Sequence, residues 1–217
     1  MYKVDLHTHS IASPDGGLRL ANYQRMLASG RLDIIAITDH GRIDFGLSAQ
    51  DAIGADKIIV GQEIMTASGE IIGLYLQKSV PAGLSIEETV AAIRAQNGLV
   101  YVPHPFETAR RGLQMADLEK IASNINIIEI YNGRAVFQNY SQQALAWAAE
   151  HKIAGASSSD AHGRIGWGRT GSWLADWPTS GSLARLLQAA KYDCQTVGCG
   201  IIYPKFNRLK QHLSRRV

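Results

Sequence analysis

Cysteine is scarce in this chain of 217 residues. Cys194 and Cys199 are the two present, lying close together, and two thiols cannot make the disulfide lattice of a small secreted domain. With no export signal ahead of them, they are expected to stay reduced and buried. Proline is sparse at 6 residues, aromatics make up 7 %, and no low-complexity stretch or internal repeat interrupts the chain. Apolar runs never approach the twenty or so residues needed to cross a bilayer, and the first residues lack the apolar core of a signal peptide. A cytoplasmic protein with no membrane partner is therefore expected. Strong charge of one sign is also missing. The formal net charge of +3 comes from residues 204–217, which hold Lys205, Arg208, Lys210, Arg215 and Arg216 and no acid. Without that tail, 17 basic residues face 19 acidic ones, which does not argue for nucleic-acid binding. The tail is expected to be a frayed, solvated helix end, with phosphate contact as the alternative.

What remains is a hydrophobic content of 46 % against 19 % charged residues, the balance of a globular domain. Its periodicity alternates. Strands are predicted over 2–7, 32–40, 57–64, 70–77, 99–106, 125–132, 153–162, 168–174 and 196–203. Helices are predicted over 18–30, 85–97, 115–122, 136–151 and 182–192. Ser85 with Glu88 three residues on forms a capping-box signal, and Gly30 and Gly98 stop their helices. The run "LDIIAITDH" reads as a strand buried on both faces. This alternation predicts one domain around a parallel sheet, closed or nearly closed as a barrel.

The stretch "DLHTHS" places His7 and His9 two residues apart after an alternating run, on one strand face. The pair reads either as two surface histidines or as neutral nitrogens meeting a metal ion. Further polar residues close successive predicted strands: Asp39 and His40, Glu63, His104, Glu129 and Asn132, then Asp160 and His162. In α/β barrels the carboxyl ends of the strands converge on one mouth. Histidines or carboxylates at six successive strand ends therefore predict a site.

"DLHTHS" followed by Asp15, then "ITDH", "GQEI", "PHPF", "IEIYN" and "SSDAH" resemble, in that order, the PHP family of polymerases and histidinol phosphatases. The resemblance runs from Val4 to about Leu174. It implies a single-domain distorted (β/α)7 barrel over 1–203, a basic tail over 204–217, and up to three divalent ions that cleave phosphate esters. Matched position implies His7, His9, Glu63 and Asp160 as one ligand set. Glu63 would bridge to a second ion held also by His104, and Asp15, His40 and His162 would form the third set. Many relatives place a histidine where this chain has Glu70, so Glu70 either serves as a harder oxygen ligand or leaves the second site weak. Two or three ions of Mn²⁺, Fe²⁺ or Zn²⁺ are implied, with Mg²⁺ also compatible. A carboxylate bridging two ions lets them share a water that loses its proton near neutral pH.

Phosphate needs cationic partners, and arginine matches its geometry. Arg42, Arg110, Arg111, Arg134 and Arg169 lie near strand ends, with glycine neighbours favouring Arg134 and Arg169. With Glu63, Asp160 and His162, these two complete the expected catalytic set. Asp39 has a structural alternative in capping the next helix, and Asn132 one in bonding its own loop. Trp167, Trp173 and Trp177 are expected in the core or as a plug, with base stacking as the alternative. Only a strand and a helix fit between Glu63 and His104, so no lid domain is inserted there. The expected substrate is a small phosphomonoester. A phosphodiesterase or nuclease acting on nucleic acid is the second reading, and a non-catalytic scaffold the third.

Overall fold

The computed structural model describes residues 1–196 and 202–214. Its strands are β1 (Tyr2–Asp5), β2 (Ile34–Ile37), β3 (Ile58–Met65), β4 (Glu70–Leu74), β5 (Leu99–Val102), β6 (Ile127–Asn132), β7 (Ala154–Ser158), β8 (Gly171–Leu174) and β9 (Lys191–Asp193). The helices are α1 (Leu20–Ala28), α2 (Asp44–Ile53), α3 (Ile86–Arg94), α4 (Met115–Ile121), α5 (Ser141–His151), α6 (Leu183–Leu187) and α7 (Ile202–Ser214). The strands form one nine-stranded sheet in the order β7-β6-β5-β4-β3-β2-β1-β8-β9. Its ends meet without a ladder. Instead, the Ser157 N–H donates to Ser172 Oγ at 2.9 Å, and Ser172 Oγ donates back to the Ser157 carbonyl at 3.2 Å. The result is an α/β barrel that is nearly closed.

The expectation of a parallel sheet needs correction. β1, β2 and β3 pair in parallel, as do β5, β6 and β7. β4 runs antiparallel between β3 and β5, and β8 antiparallel between β1 and β9. The reason for β4 is its short connection: the turn from Met65 to Glu70 is a hairpin, too short for the crossover a parallel partner requires. The reversal has a consequence for the mouth, because the first residue of β4, Glu70, lands beside the last residues of its neighbours.

One apolar cluster draws residues from β1 to β8, among them Val4, Ile34, Ile59, Ile72, Tyr101, Ile127, Ala154 and Leu174, and fills the barrel. Leu183, Leu186 and Leu187 of α6 join it. Helices α3, α4 and α5 cover one outer face of the sheet, and α1 and α2 another. Counting by twos along each strand, Glu63 shares a side with Ile59, and Glu129 with Ile127. The same pleat that buries the isoleucines thus aims these carboxylates inward.

Several local expectations change. Helix α2 was not foreseen, since Asp44–Ile53 carries Gly46 and mixed polarity that hide its period. Lys191 and Tyr192 belong to β9 rather than to the preceding helix, and α5 begins at Ser141, five residues later than predicted. Of the predicted strand 196–203, Ile202 and Tyr203 open α7 instead, and 197–201 lie outside the described residues. Cys194 is free and exposed, not buried, and Cys199 also lies outside the described residues. Of the tail, 204–214 lie in α7, which is anchored by buried Pro204 and Asn207 rather than solvated on all sides, and 215–217 lie outside the described residues. No helix among the described residues is long and apolar enough to cross a membrane.

Candidate metal centre

The carboxyl ends of β1, β2, β3, β5, β6 and β7 open on one cavity of about 470 Å³, lined by Asp15, His40, Glu63, Glu70, His104, Asp160 and His162 among others. His7 and His9 lie beneath its floor, both fully buried. All nine residues expected as metal ligands are thus brought together.

Glu63 lies at the centre. Its Oε1 faces His7 Nε2 at 3.4 Å and His104 Nε2 at 3.1 Å, while Oε2 faces His9 Nε2 at 3.3 Å and His40 Nδ1 at 3.2 Å. Each oxygen thus serves a different imidazole pair. Glu70 approaches His104 at 3.6 Å and His40 at 3.8 Å. Asp160 Oδ1 lies 3.3 Å from both His9 Nε2 and His162 Nδ1, and 3.6 Å from His7 Nε2. Asp15 Oδ1 is 3.5 Å from both His40 Nε2 and His162 Nε2. The donor atoms of His7, His9 and Glu63, of His7, His104 and Asp160, of His40, Glu63 and Glu70, and of His9, His40 and His162 each lie within 4.8 Å of one another.

The tautomers follow from the partners. Glu129 has no proton to give when ionised, so His7 Nδ1–H donates to Glu129 Oε1 at 3.2 Å. The Ser13 hydroxyl spends its proton on Asp39 Oδ1 at 2.8 Å, so it accepts from His9 Nδ1–H at 3.3 Å. Both Nε2 lone pairs then point at each other across 3.1 Å, a repulsive arrangement unless a cation lies between them. The buried Asp15 Oδ1 and His104 Nδ1 have no hydrogen-bond partner among the described residues. The residues present therefore fit divalent ions.

Proton affinities show the same negative potential. Burial works against a charge on His7, yet Asp160, Glu63 and Glu129 outweigh it and hold the imidazole well above its ordinary pKa. Burial and the facing His162 and His40 push His9 down to about 3. Burial and the adjacent Glu63 push Glu70 up to about 10. Lacking another cation, the cluster draws protons onto His7 and Glu70.

Outside the donors stands a ring of supports. Glu129 accepts from Tyr101 Oη at 2.7 Å, the His104 N–H at 2.7 Å and Asn132 Nδ2 at 2.8 Å. Asp39 accepts from the Ser10 N–H at 2.7 Å and the Ser10 hydroxyl at 2.5 Å, so it braces the loop after β1 and does not cap α2. Asp5, pushed up to about 6 by burial, accepts from the Ser159 N–H at 3.0 Å and Trp167 Nε1 at 3.0 Å. Trp167 is thereby a buried brace. Trp177 packs edge-on against Tyr2 at the start of β1, and Trp173 Nε1 donates to Asp193.

The arginines divide. Arg134 Nη1 lies 3.0 Å from Asp160 Oδ1 and Arg110 Nη1 2.5 Å from Asp160 Oδ2, and both line the cavity with Arg111. Arg169 is exposed and does not line it; the turn at Gly166 and Gly168, both with positive φ, leads its side chain to solvent. Arg42 pairs with Asp44 at the surface. Sequence reasoning missed Glu129 as the partner of His7, and it missed Asn207 and Arg208, which reach the site across more than 190 positions.

Two positions expected to supply metal ligands have left-handed backbone: His104 at φ 28° and Asp160 at φ 51°, with Phe106 at 69° and Arg111 at 54° close by. Such conformations are costly and gather at functional sites. Gly112 closes the loop that begins at His104, and a Cβ there would collide with the His104 carbonyl oxygen. Gly112→Ala is expected to lower the melting temperature by several degrees, about 1–3 kcal/mol, and to weaken metal retention. Unchanged melting and metal content would show the loop to be tolerant.

No family model matches the chain. Two proteins of Methanocaldococcus jannaschii, both uncharacterised, are related to it in sequence. MJ0417 is 32 % identical over 74 % of this chain and 65 % of its own length, so the chain spans just under two-thirds of that relative. MJ1587 is 31 % identical over 63 % of this chain and 87 % of its own length. Among solved structures, a two-domain Bacteroides vulgatus protein containing a predicted PHP-like metal-dependent phosphoesterase superposes with a TM-score of 0.67 at 18 % identity. It covers 89 % of this chain and 65 % of its own. The chain belongs to one family with MJ1587, and its fold is the PHP fold. PsfC of Pseudomonas syringae shares this PHP fold at a TM-score of 0.69 and 16 % identity, over 97 % of this chain and 98 % of its own. A candidate metal-dependent phosphoesterase of Bifidobacterium adolescentis does so at 0.59 and 16 %, over 74 % and 87 %. At these identities the structural likeness speaks for the PHP fold alone.

Proposed function

We propose that this PHP-fold protein is a metal-dependent phosphoesterase acting in the cytoplasm on a small phosphomonoester. The observation that carries the reading is Glu63, whose two oxygens each face a separate pair of imidazoles. A carboxylate so divided suits a bridge between two ions. His7, His9, Glu63 and Asp160 would hold one ion, Glu63, Glu70 and His104 a second, and Asp15, His40 and His162 a third. The oxygen-rich second set favours Mn²⁺ or Mg²⁺ over Zn²⁺. Bound there, such ions supply an acidified water and offset the charge that grows on the phosphoryl oxygens.

The chain's own residues do the rest. Glu129 and the Ser13–Asp39 pair keep the His7 and His9 lone pairs turned inward. Arg134 and Arg110 stand at the cavity wall on Asp160, placed for a phosphate that enters beside it. Between Glu63 and His104 the chain makes only the end of β3, then β4, α3 and β5, so no inserted domain covers the mouth from that side.

A phosphodiesterase is the second reading, favoured by Lys205 and Arg208 of the basic α7 lining the same cavity. An aryl phosphomonoester and its matching diester, assayed with Mn²⁺, separate the two. Preference for the monoester by at least about tenfold, a difference of about 1.4 kcal/mol, is expected. Preference for the diester would overturn the monoesterase, and no hydrolysis of either by the metal-loaded protein would favour a scaffold.

A further inference from the structure

Helix α7 faces the site with the wrong side for simple packing. Ile202 and Phe206 are 67 % and 58 % exposed, and Leu209 also points outward, while Asn207 points in and is buried. A helix held by hydrophobic burial would present the opposite stripe. Beside buried Pro204 and the half-buried Tyr203 ring, its inward contacts are polar and specific. Asn207 Nδ2 spends both its protons on two loops at once, donating to the Asp15 carbonyl at 2.8 Å and the His162 carbonyl at 2.9 Å. Arg208 Nη2 holds Asp15 Oδ2 at 3.0 Å. That leaves Asp15 Oδ1 without a hydrogen bond, aimed at the imidazoles of His40 and His162. Gly163 permits the close seating, because a Cβ there would fall 2.5 Å from the Tyr203 ring.

We infer that α7 is a working part of the metal centre, with Asn207 and Arg208 as positioning residues that set Asp15 against His162 and so complete the Asp15–His40–His162 set. This rests on the metal-dependent reading above. Asn207 ties the two loops, and Arg208 fixes which carboxylate oxygen is left for an ion. Neither residue needs to touch substrate for this role. Groups that orient a ligand change metal affinity by about 10- to 100-fold when removed.

The test is Mn²⁺ content and affinity of the full chain after equilibrium dialysis, for the wild type, Asn207→Ala, Arg208→Ala, Arg208→Lys and, on the outer face, Phe206→Ser. One ion per chain should weaken about 10- to 100-fold in the Asn207 and Arg208 alanine variants, while the remaining ions stay bound. Arg208→Lys, which keeps the charge beside Asp15, should recover part of the loss, and Phe206→Ser should match the wild type. The Arg208 side chain is 67 % exposed, so its replacement leaves folding intact and decides the matter if Asn207→Ala fails to fold. Wild-type content and affinity in Arg208→Ala would overturn this inference alone. A wild type that binds no Mn²⁺ would overturn the metal-dependent reading and this inference with it.

Discussion

Replacing His7 and His9 together by alanine is expected to abolish binding of the ion assigned to His7, His9, Glu63 and Asp160 and to lower phosphoester turnover by about 10³-fold or more. Bound ions contribute several kcal/mol of transition-state stabilisation, and each 1.4 kcal/mol or so is a factor of ten. Both side chains are fully buried, so the double variant also leaves a void. One feature limits its cost: the void opens onto a polar cavity able to take water. The variant is thus expected to fold, with a circular-dichroism spectrum like that of the metal-free wild type. Metal analysis and turnover are read on the same preparation. Full activity in the double variant would show that the reaction runs elsewhere, whatever ions the cluster holds.

The site was legible in the sequence to the extent that it hangs on strand ends. His7, His9, Glu63, His104 and Asp160 follow apolar runs whose period places them, and a barrel then brings them to one mouth. Glu70 was legible only by resemblance. Its arrival at the mouth depends on β4 running backwards, and a fully buried strand reads alike in either direction. What the sequence concealed are contacts made by side chains from loops and distant helices. Arg110 and Arg169 look alike as loop arginines, yet one lies on buried Asp160 and the other in solvent. The difference lies in the backbone of two turns, which no periodicity reports. Helix α7 is the clearest case. Its outward apolar stripe and basic residues read as a solvated end, because the polar groups that welcome Asn207 come from residues near the start and the end of the barrel.

The barrel itself shows why the mouth tolerates so many like-charged groups. Below the site, Val4, Ile59, Ile72, Ile127 and their neighbours form an apolar floor joined by α6. That packing fixes the strands, and the strands hold Glu63 and Glu129 in place despite their mutual repulsion. The site therefore takes its rigidity from the floor and its charge balance from cations. Among the described residues, the cations at hand include Arg110 and Arg134 on Asp160, Arg208 on Asp15, and the protons drawn to His7 and Glu70.

Asp160→Ala is accordingly expected to cost stability as well as activity, unlike loss of the histidines. Asp160 is the carboxylate that receives both Arg134 and Arg110, with side chains only 15 % and 17 % exposed. Arg110 keeps Glu107, but Arg134 loses its carboxylate partner. Removing one member of a buried pair costs about 3–5 kcal/mol. In a chain of this size that lowers the melting temperature by about 6–20 °C, compared in metal-free protein. Asp160→Asn separates charge from shape, since it keeps the shape and suits the left-handed φ of 51°. Lacking the charge that pairs with both guanidiniums, it should melt well below the wild type, close to Asp160→Ala, and lose turnover about as completely as the double histidine variant. The sign with pH follows from the carboxyl itself. Burial pushes its pKa up, but Arg134 and His7 outweigh that and hold it well below the ordinary 3.8. Its contribution is therefore present above about pH 4 and is lost as the pH falls through the depressed value. The gap in melting temperature between wild type and Asp160→Ala should close on that side and persist at neutral pH. Equal stability of the two at pH 7 would mean that the guanidinium pairs are balanced by repulsion from Glu63, and that Asp160 serves the ions alone.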